Sequence, residues 1–274
     1  MKKILFLCDG DNFSNGAFQL IKQLNLNERV SVKGIFFNAV DYEQMISLSQ
    51  IPIAEPFVKF KAAEERLVGQ SKQRFADLCE DSRIQYQISE QKEGWDKEIF
   101  KNESRFADLV IISQELFCSD ILGRQPNFFM HEALHGAGCP VLVVPEKFET
   151  PDRIVIAYDG KDESIFALKQ FVYLLPQLTD LPTDFVYVKN ERTDEIPNYD
   201  LLQEYARLHF NSLATSKLHF DAKKYFTAWL EERKNVMVVT GAYARSSVSN
   251  LFNQSFADKI IRDHTSPIFI AHSL

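Results

Sequence analysis

Two kinds of pattern in this sequence carry side chains that could do chemistry. His131-Glu132-Ala133-Leu134-His135 matches HExxH, in which two histidines one helical turn apart hold zinc and the glutamate activates water. Its context argues otherwise. Gly136-Ala137-Gly138 ends the segment at once, and no downstream histidine or acid stands at a third-ligand spacing. Cys139 is a candidate soft ligand, but Pro140 and an apolar strand follow it immediately. The two histidines read as rim residues of a helix, and a zinc-dependent hydrolase is a distant third reading of the chain. The other pattern is Asp-Gly closing an apolar run, at Asp9-Gly10 and again at Asp159-Gly160. Such an aspartate either meets a ligand or bonds its own backbone in a turn. Gly-x-Ser-x-Gly, GxxxxGK[ST] and any cysteine-protease signature are absent, so no nucleophile or general base stands out and no catalysis is expected.

The four cysteines, Cys8, Cys79, Cys118 and Cys139, form no CxxC pair and are read as reduced, structural thiols. Cys8 and Cys118 both fall near the mouth of the first half, which raises redox sensing against the commoner reading of inert buried thiols. The 274 residues carry a formal net charge of −7, with 38 acids against 31 bases, a balance that disfavours nucleic acid and anionic lipid as partners. Met1-Lys2-Lys3 imitates a secretion signal, but Asp9 and Asp11 interrupt the apolar stretch, which reads as a buried strand. No apolar run approaches the length of about 18 residues that spans a bilayer, and the cytoplasm is the expected location. Most of the 23 phenylalanines are expected in the core, and an exposed remainder would mark a partner surface.

These residues must be positioned by strands alternating with helices, the pattern of a parallel α/β sheet. Strands are expected at 3–8, 30–37, 85–89, 109–113 and 141–145, then at 153–158, 184–189, 217–220, 236–240 and 268–272. Helices are expected at 14–24, 62–82, 95–106 and 128–135, then at 164–175, 201–210, 222–234 and 251–264. The second half thus repeats the first. Each Asp-Gly is followed by a serine, Ser14 or Ser164, that opens a helix. Leu109–Ser113 matches Val236–Thr240, and Pro140 and Pro267 each follow the end of that strand by 27 residues. The polar stretch 146–152, with Pro151, divides the chain into domains 1–148 and 149–274. Residues 38–61, with Pro52 and Pro56, read as a surface loop. Each copy then forms a doubly wound five-stranded parallel sheet, whose ligands bind outside the carboxyl ends of the strands where strand order reverses.

The strand-end Asp-Gly, the strand–loop–helix after the fourth strand and the Pro-led final strand together resemble the universal stress protein family, in a tandem two-domain form. The resemblance implies a Rossmann-like fold of the adenine nucleotide alpha hydrolase type. It also implies an intrachain pseudo-dimer in which the final strands, Val141–Val144 and Ile268–Ala271, pair. In the nucleotide-binding branch of that family an aspartate ending the first strand meets adenine, and G-x-x-G, nine residues, then G-[ST] holds ribose and phosphates. Copy two offers Asp159, Gly160 and Val188 near the base, with Gly241, Ala244, Gln254 and Ser255 at the loop positions. Two of the four loop positions match. Arg245 lies in the same loop, where a guanidinium could replace lost backbone contacts to an anion. Copy one has Gln114, Phe117, Asn127 and Phe128 at those positions, and only Asp9 remains of the motif, so it is expected to be a degenerate, structural partner. The resemblance leaves two functions open: a non-catalytic stress-response module with a weakened site for ATP or another adenylate in copy two, or a scaffold acting through protein contacts without nucleotide; a homodimer or another protein partner is compatible with the first as with the second.

Overall fold

The computed structural model describes residues 1–10, 13–37, 55–92, 94–115, 128–188, 195–218, 226, 228–230, 232–233, 235–241 and 266–273. The chain divides into two compact units, Met1–Gly138 and Cys139–Leu274.

In the first unit, β1 (Lys2–Asp9), β2 (Val30–Phe37), β3 (Gln85–Gln91) and β4 (Leu109–Ser113) form a parallel sheet in the order β3-β2-β1-β4. The central strands β1 and β4 are continuous apolar runs because helices cover both of their faces. Edge strand β3, Gln-Tyr-Gln-Ile-Ser-Glu-Gln, is mostly exposed and polar. Helix α1 (Asn15–Asn27) starts where Ser14 Oγ accepts the Ala17 N–H at 3.0 Å, the helix-opening role expected of that serine. Helix α2 (Glu55–Asp81) begins inside the segment read as a loop. Pro56 is tolerated because it falls at the helix start, where the missing N–H leaves no bond unmade. Helices α3 (Lys97–Ser104) and α4 (Phe128–Gly136) complete the described elements of this unit, and Asp96 caps α3 through the Ile99 N–H at 2.9 Å. Phe6 stacks on Phe75 at 5.7 Å and meets Phe18 edge-on at 6.4 Å, joining the sheet to α1 and α2 through aromatic area.

In the second unit, β5 (Val141–Val144), β6 (Arg153–Tyr158), β7 (Thr183–Val188), β8 (Leu213–Leu218), β9 (Val236–Thr240) and β10 (Ile268–Ile270) take the order β5-β10-β9-β6-β7-β8. All pairs are parallel except β5 with β10, where Val141 opposes Ile270. The two Pro-led final strands therefore pair with each other, and this pairing places β5 in the second unit together with the polar stretch 146–152. Strand β8 starts four residues ahead of its expected position because, at the edge of the sheet, Leu-Ala-Thr-Ser-Lys-Leu need not be strongly apolar. Helix α5 (Asp162–Leu174) starts two residues before Ser164, with Asp162 and Glu163 in its first turn, where acids complement the helix dipole. Ser164 lies inside that turn and donates to the Lys161 carbonyl at 2.7 Å. A short 3-10 turn (Pro176–Leu178) and helix α6 (Tyr199–His209) follow. Of the helix expected at 222–234, Phe226 and residues 228–230 are helical, and the rest, like the helix expected at 251–264, lies outside the described residues. Phe171 against Phe269 at 5.6 Å ties α5 to β10. Among the described residues no helix is long and apolar enough to cross a membrane.

Candidate functional site

A doubly wound sheet opens a crevice where neighbouring strands lead to opposite sides. In the first unit that point lies between β1 and β4, and their register, Leu7 opposite Ile112, brings Asp9 and Gln114 to its two lips. Both are fully buried. A Cβ added to Gly10 would stand 2.9 Å from Val68 Cγ2 and 3.1 Å from the Val68 nitrogen, so α2 runs directly over the strand end. Ser71, one turn further along α2, donates to the Gly10 carbonyl at 3.1 Å. Arg74 covers the Phe13 ring at 4.9 Å and hydrogen-bonds Asn15. The crevice of the first unit is thus roofed at Gly10 by its own helix. Phe117, Asn127 and Cys118 lie outside the described residues, as does the Phe128 side chain, although Phe128 itself begins α4. The Cys8 thiol donates to the Asp9 carbonyl at 2.9 Å, and burial, reinforced by the Asp9 carboxylate, holds it well above the usual thiol range. A thiol so held is a poor nucleophile, which favours the structural reading of Cys8.

The equivalent point in the second unit lies between β6 and β9, where Ala157 opposes Thr240. Asp159 and Gly241 stand just beyond it. Asp159 Oδ1 accepts the Lys161 N–H at 3.0 Å and Oδ2 lies 3.8 Å from Lys161 Nζ, the self-bonded turn foreseen for an Asp-Gly. A carboxylate accepts several bonds, so this turn leaves acceptor capacity for a ligand donor. Gly160 takes φ +82°, open to glycine at no steric cost, and a Cβ there would meet Pro197 Cγ at 3.0 Å. Tyr158 Oη donates to the Pro197 carbonyl at 2.8 Å, which pins the 195–198 segment against the end of β6. Burial, with the Asp159 carboxylate beside it, pushes the Tyr158 phenol up, so it remains a neutral donor. Val188 ends β7 opposite Leu218.

Gly241 is demanded by close approach. A Cβ there would lie 2.3 Å from the Glu163 carbonyl carbon and oxygen and 2.6 Å from the Ser164 nitrogen. The backbone of the α5 first turn therefore rests on the start of the loop after β9. The Glu163 carboxylate is turned aside from that contact, accepting the Ser273 N–H at 2.8 Å and the Ser273 hydroxyl at 2.9 Å. Ala244, Arg245, Gln254 and Ser255 lie outside the described residues. Of the expected site, the structure brings together Asp159, Gly160 and Gly241. Glu163, Pro197 and Ser273 join them without any sequence signal: Pro197 and Ser273 come from distant parts of the chain, and Glu163, close to Asp159 in sequence, meets Gly241 across a long stretch of chain.

The HExxH glutamate is committed elsewhere. Glu132 accepts from Trp95 Nε1 at 2.9 Å and from Lys97 Nζ at 2.8 Å, which holds the Lys97 ammonium above its usual range. The His131 side chain lies outside the described residues, and among those described no group of three or more His, Cys, Asp or Glu side chains is placed to hold a metal.

Compared with solved structures, the chain is similar over 99% of its length to a universal stress protein from Archaeoglobus fulgidus, covering 96% of that chain at TM-score 0.66 and 15% identity. It is similar over 98% of its length to a putative universal stress protein from Pseudomonas aeruginosa, covering 92% of that chain at TM-score 0.53 and 13% identity. No family model and no curated protein matches the sequence. At such identities the likeness establishes the fold, which is the mostly parallel α/β fold of universal stress proteins, along the whole chain.

Proposed function

From a universal-stress fold with one roofed and one differently built crevice, we propose that this protein is a non-catalytic, cytoplasmic regulatory module of the universal stress type. Its second unit is the one suited to an adenine nucleotide such as ATP. The observation that carries this reading is the contact of Gly241 with the first turn of α5, beside Asp159 at the reversal of strand order. That contact sets Gly241, the residue that follows β9, at the place where a doubly wound sheet takes its ligand. In the first unit, α2 lies over Gly10, the counterpart of Gly160, which Pro197 covers in the second unit. Asp159 supplies an acceptor suited to an exocyclic amine, and the loop carrying Arg245 and Ser255 would supply donors to phosphate. Nucleotide occupancy, sensed through contacts to that loop, would report an energy state to a partner.

The second reading, a scaffold without nucleotide, draws support from the engagement of Asp159 by Lys161 and from Pro197 lying over Gly160. Calorimetric titration with ATP separates the two. Saturable binding that is lost in Asp159→Ala supports the nucleotide module, and absence of binding at millimolar ATP establishes the scaffold instead.

A further inference from the structure

Nine large apolar side chains are exposed among the described residues; three of them, Tyr199, Leu201 and Leu208, lie on α6, and a fourth, Tyr173 of α5, neighbours Tyr205 of α6. Leu202 and Ala206 bury one face of this helix. The opposite face carries Asp200, Leu201, Glu204, Arg207 and Leu208, all exposed, with Leu201 at 65% and Leu208 at 76%. Among the described residues none of the three charged groups on this face forms an ion pair. An open hollow of about 600 Å³, lined by Glu195, Ile196, Asn198, Tyr199, Asp200 and Leu201, adjoins the amino end of α6. Acids therefore stand at the amino end and at the middle of an apolar face, and Arg207, without an ion pair among the described residues, stands toward the other end.

We propose that this face binds a second copy of the chain, with the two α6 helices antiparallel across a two-fold axis. The operation sets each Arg207 against the partner's Asp200 and Glu204 and each Leu208 against the partner's hollow beside Leu201. Residues 201 and 208 lie about 10 Å apart along the helix, so one rotation satisfies both ends at once. A patch built on one helix of 11 residues falls at the small end of protein interfaces. Three acids, Glu195, Asp200 and Glu204, also face a single arginine, and their residual repulsion keeps the contact weak. The dimer therefore has a dissociation constant in the micromolar range.

Sedimentation velocity on the full chain, from about 2 to about 300 µM, tests this. The weight-average mass rises from 31.6 kDa toward twice that value with concentration. Leu208→Asp weakens association at least tenfold. Arg207→Glu alone, and Asp200→Arg with Glu204→Arg, each stay monomeric, whereas an equimolar mixture of the two variants associates, which misfolded chains would not do. A chain that stays monomeric throughout overturns the proposal and leaves the face to a different partner. It is equally overturned by a dimer indifferent to Leu208→Asp, or by charge-reversed variants that fail to associate when mixed.

Discussion

Replacing Gly241 by alanine tests the central piece of the second unit's architecture. The new methyl would start 2.3 Å from the Glu163 carbonyl carbon and oxygen, whereas ordinary contact begins at 3.4 Å, so the two segments must part by about 1 Å. Both obstructing atoms are backbone in the first turn of α5, and no rotamer change can move them away. Overpacking of this kind costs about 1–3 kcal/mol, and the upper end applies where the neighbour cannot rotate. At about 2–4 °C per kcal/mol, the melting temperature of the second unit falls by about 6–12 °C. Differential scanning calorimetry reads this directly. Gly69→Ala is the control, because a Cβ at Gly69 in α2 meets nothing within 4 Å. There, replacing a helical glycine should gain about 0.5–1 kcal/mol. A Gly241→Ala protein that melts with the wild type refutes the claim that α5 rests on this residue.

Ser14→Ala removes the cap of α1 and costs about 1 kcal/mol, read as a lower urea midpoint. Glu132→Ala leaves the Trp95 indole N–H without its acceptor and costs about 1–3 kcal/mol in the same assay; a neutral result would mean that this bond is not made in solution. Native iodoacetamide labelling followed by mass spectrometry should modify half-exposed Cys139 well before Cys8 and Cys79, which react only on unfolding. Burial pushes the Cys79 thiol up to about 12 from its ordinary 9.0. The folded chain therefore keeps a proton that the unfolded chain loses above pH 9, and the stabilisation is intact below that pH and falls away as the pH climbs toward 12. The loss is at most on the order of 4 kcal/mol, and Cys79→Val should flatten the alkaline limb of a stability-against-pH curve.

The central strands were legible because burial on both faces writes itself as unbroken apolar sequence, as in Leu-Val-Ile-Ile-Ser of β4 and Val-Met-Val-Val-Thr of β9. Edge strand β8 was displaced for the converse reason, since Leu-Ala-Thr-Ser-Lys-Leu pairs on one side only and carries little apolar signal. The early start of α2 was hidden by Pro52 and Pro56, which read as loop punctuation although proline is welcome in a first helical turn. Asp159-Gly160 and Gly241 were legible as strand ends. What surrounds them was not: Pro197 on Gly160, Glu163 on Gly241 and Ser273 on Glu163 are contacts between distant segments with no local motif. The same holds for α2 over Gly10, a contact between distant segments that no local motif announces.

Stoichiometry tests the account most directly. Native mass spectrometry of the chain equilibrated with ATP should show a single added adenylate per polypeptide, retained in Gly10→Ala and absent in Asp159→Ala. Two adenylates per chain, or none at any concentration, would contradict it.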